Sequence, residues 1–209
     1  MNEAGMDRRY ILSEREEAYQ CHIRFLFLYA IETGQGTLIK LLLEKGADVN
    51  EACPSGNKPV LYALENDRHD IVHQLLLCGE INLQRDEWSK LLLYASGKGH
   101  RTILELLAGD RSHFDDEDDH GRTPLSYAAE NGHCSTVQVL AEKGARVNFA
   151  DDLGRTPLAY AADKGHKVVI QELINYGANK TTLDELKPTP LECAQGKGYG
   201  EDILELLRE

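Results

Sequence analysis

The sequence has no long apolar run and no paired-cysteine motif, and each absence removes a class of protein. No stretch approaches the ~20 apolar residues that a membrane-spanning helix needs. The cysteines are odd in number and form no CxxC pair, which argues against a zinc site or a disulfide framework. We therefore expect no bound metal, no cofactor and reduced thiols at Cys21, Cys53, Cys78, Cys134 and Cys193.

Positive charge is also scarce. Lysine and arginine number 23 against 35 aspartates and glutamates, which gives a formal net charge of -12. Nucleic acids and anionic membranes both require positive surface, so neither is an expected partner. The first residues, MNEAGMDRRYILSEREEAY, are too acidic and too polar for a secretory signal. These features predict an intracellular protein, cytoplasmic or nuclear, whose acidic balance is compatible with a basic protein partner.

The sequence does contain a repeat. The segment DDHGRTPLSYAAENGH, residues 118–133, returns as DDLGRTPLAYAADKGH, residues 151–166. A fixed period of this length is typical of stacked repeat architectures. One alanine position recurs six times, at steps of 33, 32, 33, 33 and 33 residues: Ala30, Ala63, Ala95, Ala128, Ala161 and Ala194.

Each copy carries the signals of two short helices. In the fourth copy Thr123 can cap the first helix, Pro124 suits its first position, and Gly132 can end it. A second apolar helix follows, and Gly144 can end that one. Two short helices cannot bury an apolar stripe alone, so we expect neighbouring copies to bury it against each other.

The pattern G-x-T-P-L-x-x-A-A-x-x-G-H, with an apolar helix and L-x-x-G-A-x-V-N after it, strongly resembles the ankyrin repeat, most closely at 121–148 and 154–179. The family's TPLH histidine is absent throughout. The resemblance implies an all-α solenoid of stacked helix-turn-helix units with β-turn or loop fingers. It predicts an N-terminal polar segment or capping helix at 1–21 and a repeat domain at 22–209. The six predicted repeats are approximately 22–55, 56–87, 88–120, 121–153, 154–186 and 187–209.

Several motifs allow a structural and a functional interpretation. The acidic run 115–119 is either a solvated loop or an acidic contact patch. We interpret three histidines at the repeat interval as ties between a helix end and a neighbouring loop: His100, His133 and His166. Five tyrosines before the period alanine favour packing between units over a binding stripe: Tyr29, Tyr62, Tyr94, Tyr127 and Tyr160. No convergent set of acid, base, nucleophile and metal ligands is present, so we expect no enzyme.

The ankyrin resemblance implies that proteins bind on a concave surface made of the turn tips and the exposed side of the first helices. Trp88 is the only tryptophan. It either anchors a partner at this surface or folds back to cover the irregular third repeat. Acidic residues dominate the surface, which predicts a partner segment carrying Lys or Arg. Gly97 and Lys98 are further helix positions on it. The candidate protein-binding residues are Glu65, Asn66, Asp86, Glu87, Trp88, Asp119, His120, Arg122, Glu130, Asn131, Asp152, Leu153, Arg155, Asp163 and Lys164.

The predicted function is a non-enzymatic scaffold or adaptor for protein–protein interaction. One alternative is a self-associating module whose homodimer forms through the third unit and Trp88. Another is a recognition domain that belongs to a larger signalling protein. The ankyrin resemblance also implies hydroxylation at the asparagine of the VN turn, here Asn50 and Asn148.

Overall fold

The computed structural model of the protein describes residues 3–78, 81–107, 114–181 and 188–208, with side chains from residue 16 onward. These residues form helices joined by turns and loops, with no strand among them. The helices are α1 (Glu3–Thr33), α2 (Gly36–Glu44), α3 (Pro59–Glu65), α4 (His69–Leu77), α5 (Arg85–Lys98), α6 (Arg101–Leu107), α7 (Pro124–Glu130), α8 (Cys134–Glu142), α9 (Pro157–Lys164), α10 (Lys167–Asn175), α11 (Pro190–Lys197) and α12 (Glu201–Leu207).

The chain divides into two compact units, Met1–Asn82 and Leu83–Glu209. The first unit contains α1–α4, and α1 packs on both α2 and α3. In the second unit the first helices of successive repeats, α5, α7, α9 and α11, pack side by side in one layer. Their partners α6, α8, α10 and α12 form the other layer. The predicted boundary between the fifth and sixth repeats, at 186 and 187, lies outside the described residues.

The N-terminal segment differs from the separate cap that the sequence suggested. Residues 13–20 belong to the same 31-residue helix as the first helix of the first repeat. The reason is local, because no glycine or proline occurs between Gly5 and Gly34 to interrupt a helix. The first repeat therefore begins with a helix far longer than its counterparts.

The helix starts predicted from Thr-Pro pairs are confirmed for three of the first helices. The Thr123 hydroxyl accepts a hydrogen bond from the Ser126 backbone N–H at 3.3 Å, with Pro124 at the first helical position. Thr156 and Thr189 cap α9 and α11 in the same way. Each such cap contributes about 1 kcal/mol, because it satisfies a backbone donor that the helix itself cannot pair.

The period alanine is the centre of the core. All six alanines have no exposed surface, from Ala30 to Ala194. On the second helices, buried aliphatic side chains such as Leu140 and Leu173 fill the space beneath. Full burial of each such side chain contributes about 1.5–3 kcal/mol. The small alanine side chain is what allows the first helices to lie close enough to share this core.

At three places the residue after a helix-ending glycine connects one repeat to the repeat before it. His133 Nε2 lies 2.9 Å from the Gly97 carbonyl oxygen, and His166 Nε2 lies 3.0 Å from that of Glu130. The Tyr199 hydroxyl donates to the Asp163 carbonyl oxygen at 3.0 Å. These bonds satisfy carbonyls at helix ends that lack an intrahelical partner. The interpretation of His133 and His166 as structural ties is thus confirmed.

The two turn asparagines also hold neighbouring loops. Asn148 Oδ1 accepts from the Asn179 backbone N–H at 2.7 Å, and its Nδ2 donates to the Gly177 carbonyl oxygen at 3.0 Å. In the first unit Asn50 Oδ1 accepts from the Asn82 backbone N–H at 2.7 Å. Both carboxamides therefore have a structural role, and their hydroxylation stays a prediction.

Gly132→Ala tests how much the contact between a glycine and the next repeat's ring contributes to stability. Gly132 has φ +76°, and an added Cβ would lie 2.8 Å from the His166 ring. Gly144→Ala is the matched control, with φ +91° and no atom within 4 Å of its Cβ. Both variants carry the left-handed strain of about 1–2 kcal/mol. We expect Gly132→Ala to lose about 1 kcal/mol more in urea unfolding, because the His166 hydrogen bond is displaced. An equal loss in both variants would contradict this account.

Candidate functional site

The loop that leads into α7, residues 114–122, is organised around one carboxylate. We name this loop the fourth-repeat finger. Asp118 accepts hydrogen bonds from the backbone N–H groups of His120 and Arg122, each at 2.9 Å. Its Oδ2 also accepts from the Tyr127 hydroxyl at 2.8 Å and from Arg122 Nε at 3.1 Å. The finger is thereby fixed to α7, since Tyr127 belongs to that helix.

The fifth repeat uses the same arrangement. Asp151 accepts from the backbone N–H groups of Leu153 and Arg155, and from the Tyr160 hydroxyl at 2.5 Å. The two fingers are joined directly, because the Asp152 backbone N–H donates to the His120 carbonyl oxygen at 3.1 Å. A row of fingers held in this way presents its tips in a fixed register.

The tyrosine series does not have a single role. Tyr160 is 6 % exposed and Tyr29 is 48 % exposed, so the series is neither uniformly packed nor a continuous stripe. Tyr127 and Tyr160 brace the fingers, with the Arg122 guanidinium 4.2 Å from the Tyr127 ring centroid. Burial and the hydrogen bond to Asp151 raise the pKa of Tyr160, which therefore stays a hydroxyl donor.

The acidic run 115–119 is mostly structural, which neither of its two interpretations anticipated. Asp115 accepts from the Arg146 backbone N–H at 2.8 Å, and Asp116 pairs with Arg85 at 2.9 Å. Asp118 holds the finger together. Of the five acidic residues only Glu117 and Asp119 are exposed.

A groove runs between α5, this finger and α7, all within the second unit. Its finger end is lined by Arg85, Asp86, Ser89, Lys90, Leu93, Asp116, Glu117, Asp118 and Asp119. Its helix end is lined by Leu93, Tyr94, Gly97, Lys98, Tyr127 and Asn131. Leu93 lines both ends, so the two depressions adjoin; charged side chains surround the finger end, and aromatic rings line the helix end.

The finger end of the groove carries negative charge available to a partner. Asp86, Glu117 and Asp119 are exposed, and within the described ranges none of the three makes an ion pair. Asp116 and Asp118 are already bound to Arg85 and Arg122. We name the three exposed carboxylates the acidic rim.

Two predicted acidic positions beyond the groove are neutralised within the protein. Glu130 lies 3.3 Å from Arg122 and 3.7 Å from Lys164. Asp163 lies 3.4 Å from Lys197. This surface of the fourth to sixth repeats is therefore an alternating series of charges, less attractive to a cation than the acidic rim.

The structure brings three of the predicted binding residues into the groove: Asp86, Asp119 and Asn131. Four more belong to the alternating charges just described, namely Arg122, Glu130, Asp163 and Lys164. The remaining finger positions are exposed, and they are His120, Asp152, Leu153 and Arg155. Whether these residues contact a partner stays a prediction.

The other four predicted residues have local partners or partial burial. Glu65 accepts from Asn57 Nδ2 at 2.6 Å, and Asn66 Nδ2 donates to the Tyr62 carbonyl oxygen at 2.8 Å, both in the first unit. Glu87 accepts from the Gln84 backbone N–H and so caps α5. Trp88 is half-buried, and its Nε1 is buried with no hydrogen-bond partner among the described residues.

Sequence reasoning missed Lys90 and Leu93 as parts of the groove. Both lie on the same stripe of α5 as Asp86 and Gly97, at spacings of three to four residues. Counting that stripe on a helix running from residue 85 would have found them. The sequence hid the start of this helix, because the third repeat has no Thr-Pro pair to mark it.

Chemistry beyond binding finds little support in the described residues. No group of three or more His, Cys, Asp or Glu side chains there could hold a metal ion. Burial raises the pKa of the Cys53, Cys134 and Cys193 thiols, which disfavours the thiolate that a nucleophile needs. No described helix is long and apolar enough to cross a bilayer.

The layered helix pairs and their fingers define an all-α repeat solenoid. A family model for ankyrin repeats matches residues 9–85, 75–151 and 144–209, so the chain belongs to the ankyrin repeat family. Members of this family generally mediate protein–protein interactions and are generally non-catalytic.

Two relatives illustrate the similarity. The chain is 35% identical over 98 residues to the mouse B-cell lymphoma 3 protein homolog, an alignment that covers 46% of this chain and 22% of that protein. The chain therefore aligns with less than a quarter of this curated relative. A solved ankyrin repeat domain from Acinetobacter baumannii superposes with a TM-score of 0.70 at 26% identity, covering 87% of this chain and 95% of the other.

Asp118→Asn tests the carboxylate that organises the finger. Burial opposes its ionised form, but the hydrogen bonds from Arg122, His120 and Tyr127 outweigh burial and lower the pKa of Asp118 below 3.8. A lowered folded-state pKa contributes stability above about pH 4 that is lost as pH falls through that pKa. We expect the variant to lose about 1 kcal/mol at pH 7 in urea unfolding, and the difference from wild type to shrink toward pH 3.

Asp119→Asn is the matched control, because it makes the same substitution at the neighbouring position, where the side chain is exposed. Its unfolding free energy at pH 7 should be close to that of the wild type. A pH-independent deficit in Asp118→Asn would show that the charge of Asp118 does not stabilise the finger.

Proposed function

We propose that the chain is a non-enzymatic protein-interaction scaffold that binds a protein or peptide with a basic segment in the groove between α5, the fourth-repeat finger and α7. The observation that carries this proposal is the acidic rim, three exposed carboxylates beside Leu93 and the rings of Tyr94 and Tyr127. The charge attracts and orients a cationic segment, while these apolar and aromatic groups supply most of the buried contact.

The fixed finger supports binding because ordering a loop on association costs free energy. Asp118 and Tyr127 already hold the finger in place, and the backbone bond from Asp152 to His120 joins it to the next finger. Glu117 and Asp119 are therefore presented on a pre-organised loop. Binding therefore does not require a further loss of loop entropy to position these two carboxylates.

The charge distribution supports a smaller set of expected partner contacts than the sequence suggested. Glu130 and Asp163 are compensated by Arg122, Lys164 and Lys197, so a cationic partner would have to displace these pairs. The acidic rim has no such competitor among the described residues apart from Lys90. We therefore assign the rim, and not the later repeats, the main electrostatic role.

Asp119→Lys tests the proposed binding site. The side chain is exposed, so folding should be retained, and reversing its charge should repel a basic segment. Partners captured from lysate by the wild-type chain are identified, produced in pure form and titrated against each variant by calorimetry. We expect affinity to fall about tenfold at low salt, with the difference shrinking at about 0.5 M salt as screening grows.

Glu205→Lys is the matched control, since it makes the same change of charge at an exposed position of α12, outside the groove. It should bind as the wild type does. Equal losses from both variants would show that only net charge matters, and no loss from Asp119→Lys would remove the groove from the proposed function.

Self-association is the second candidate function, and the observation that favours it lies on α1. Phe25, Leu26 and Tyr29 are 71 %, 42 % and 48 % exposed and lie on one side of this helix, and such apolar patches often mark interaction sites. If it operates, light scattering will give the mass of a dimer, and Phe25→Glu will return it to that of a monomer. A monomeric wild type at micromolar concentration would exclude this candidate.

A further inference from the structure

Gly97 occupies a position where glycine has no structural reason to be. It lies inside the last turn of α5, and it is not among the glycines with left-handed φ. A helical glycine costs about 1 kcal/mol relative to alanine, because it loses more backbone entropy on folding. At the equivalent position the sixth repeat also has a glycine, and the other four repeats have Glu32, Glu65, Glu130 and Asp163.

Steric crowding does not explain this glycine either. A Cβ at position 97 would meet only the Tyr127 ring, at 3.5 Å, which is an ordinary van der Waals contact. The missing side chain therefore leaves open space, and this space lies in the helix end of the groove. We name it the Gly97 notch, bounded by Leu93, Tyr94 and Tyr127.

We propose that the Gly97 notch receives one large apolar side chain, aromatic or aliphatic, of the partner segment that the groove binds. This inference rests on the proposed function and adds a second recognition element to it. Glycine in a structured element commonly marks a place where a ligand or another backbone approaches closely. Glycine destabilises α5 by about 1 kcal/mol relative to alanine, and contact with an apolar side chain in the notch offsets this loss.

The charges around the notch favour an apolar occupant over a cationic one. The Lys98 ammonium lies 5.7 Å from the Tyr94 ring centroid, and the Arg122 guanidinium lies 4.2 Å from that of Tyr127. Each of the two rings, Tyr94 and Tyr127, thus already has a cation of this chain over one of its faces. A further cation would be repelled, whereas an apolar side chain gains contact with both rings.

The helix geometry sets the spacing of the two recognition elements. Asp86 and Gly97 are eleven residues apart on α5, which corresponds to about 16 Å along its axis. An extended chain advances about 3.3 Å per residue, so about five residues cover that distance. The bound segment should therefore carry Lys or Arg about five residues from a large apolar residue.

Gly97→Leu fills the notch with a side chain of this protein. Leucine favours helix formation over glycine, so folding should be retained, which circular dichroism and a melting curve will check. Gly196→Leu is the matched control, at the same position of the sixth repeat, where an added Cβ has no atom within 4 Å. The two variants differ in the notch and not in the kind of substitution.

The probe is a set of peptides selected from a random display library on the wild-type chain. We expect the selected peptides to combine a basic residue with a large apolar residue at the stated spacing. Gly97→Leu should weaken their binding about tenfold or more, and Gly196→Leu should leave it unchanged. Replacing the apolar residue of a peptide by alanine should weaken binding to the wild type but not to Gly97→Leu.

The outcomes separate the two proposals. Peptides that Asp119→Lys weakens but Gly97→Leu does not would overturn the notch and leave the basic-segment proposal standing. Peptides that are indifferent to both variants, or a library that yields no binder, would overturn both. Selected peptides that lack a large apolar residue would also overturn the notch.

Discussion

The fourth to sixth repeats of this chain depend on contact with their neighbours, because a pair of helices of seven to nine residues, as α7 and α8 are, has too little apolar surface to fold alone. The period alanine makes that contact close, and the ring of His133, His166 or Tyr199 closes it with a hydrogen bond to the preceding repeat. These residues recur for that reason. They are consequently committed to the contacts between repeats.

The fingers on the surface are also held by contacts with neighbouring segments of the chain. In the fingers before α7 and α9, one aspartate accepts the turn's own N–H groups and a tyrosine hydroxyl from the following helix, namely Asp118 and Asp151. A loop held by ionic and hydrogen-bonded contacts loses little entropy on binding. The finger before α7 thus uses part of its negative charge to fix its own shape and leaves Glu117 and Asp119 of the acidic rim exposed.

The residue pattern was sufficient for the fold and insufficient for the site. Thr123, Pro124, Gly132 and the alanine period act locally or between identical neighbours, so their roles could be predicted from spacing. The acidic surface could not be predicted in the same way, because formal charge does not reveal pairing. Glu130 and Asp163 read as acidic in sequence, yet each lies beside a lysine or arginine contributed by another segment.

The sequence by itself determined the repeat, the helix starts that a Thr-Pro pair marks and the family, because these follow from short-range steric and hydrogen-bonding preferences that recur about every 33 residues. Only the tertiary structure decided which carboxylates form ion pairs with the protein's own arginines and lysines. It also decided where the missing side chain of Gly97 leaves space. Both depend on residues that are distant in sequence and adjacent in space. Gly97 and Tyr127 are separated by thirty residues of chain, and packing of α5 on α7 brings them together.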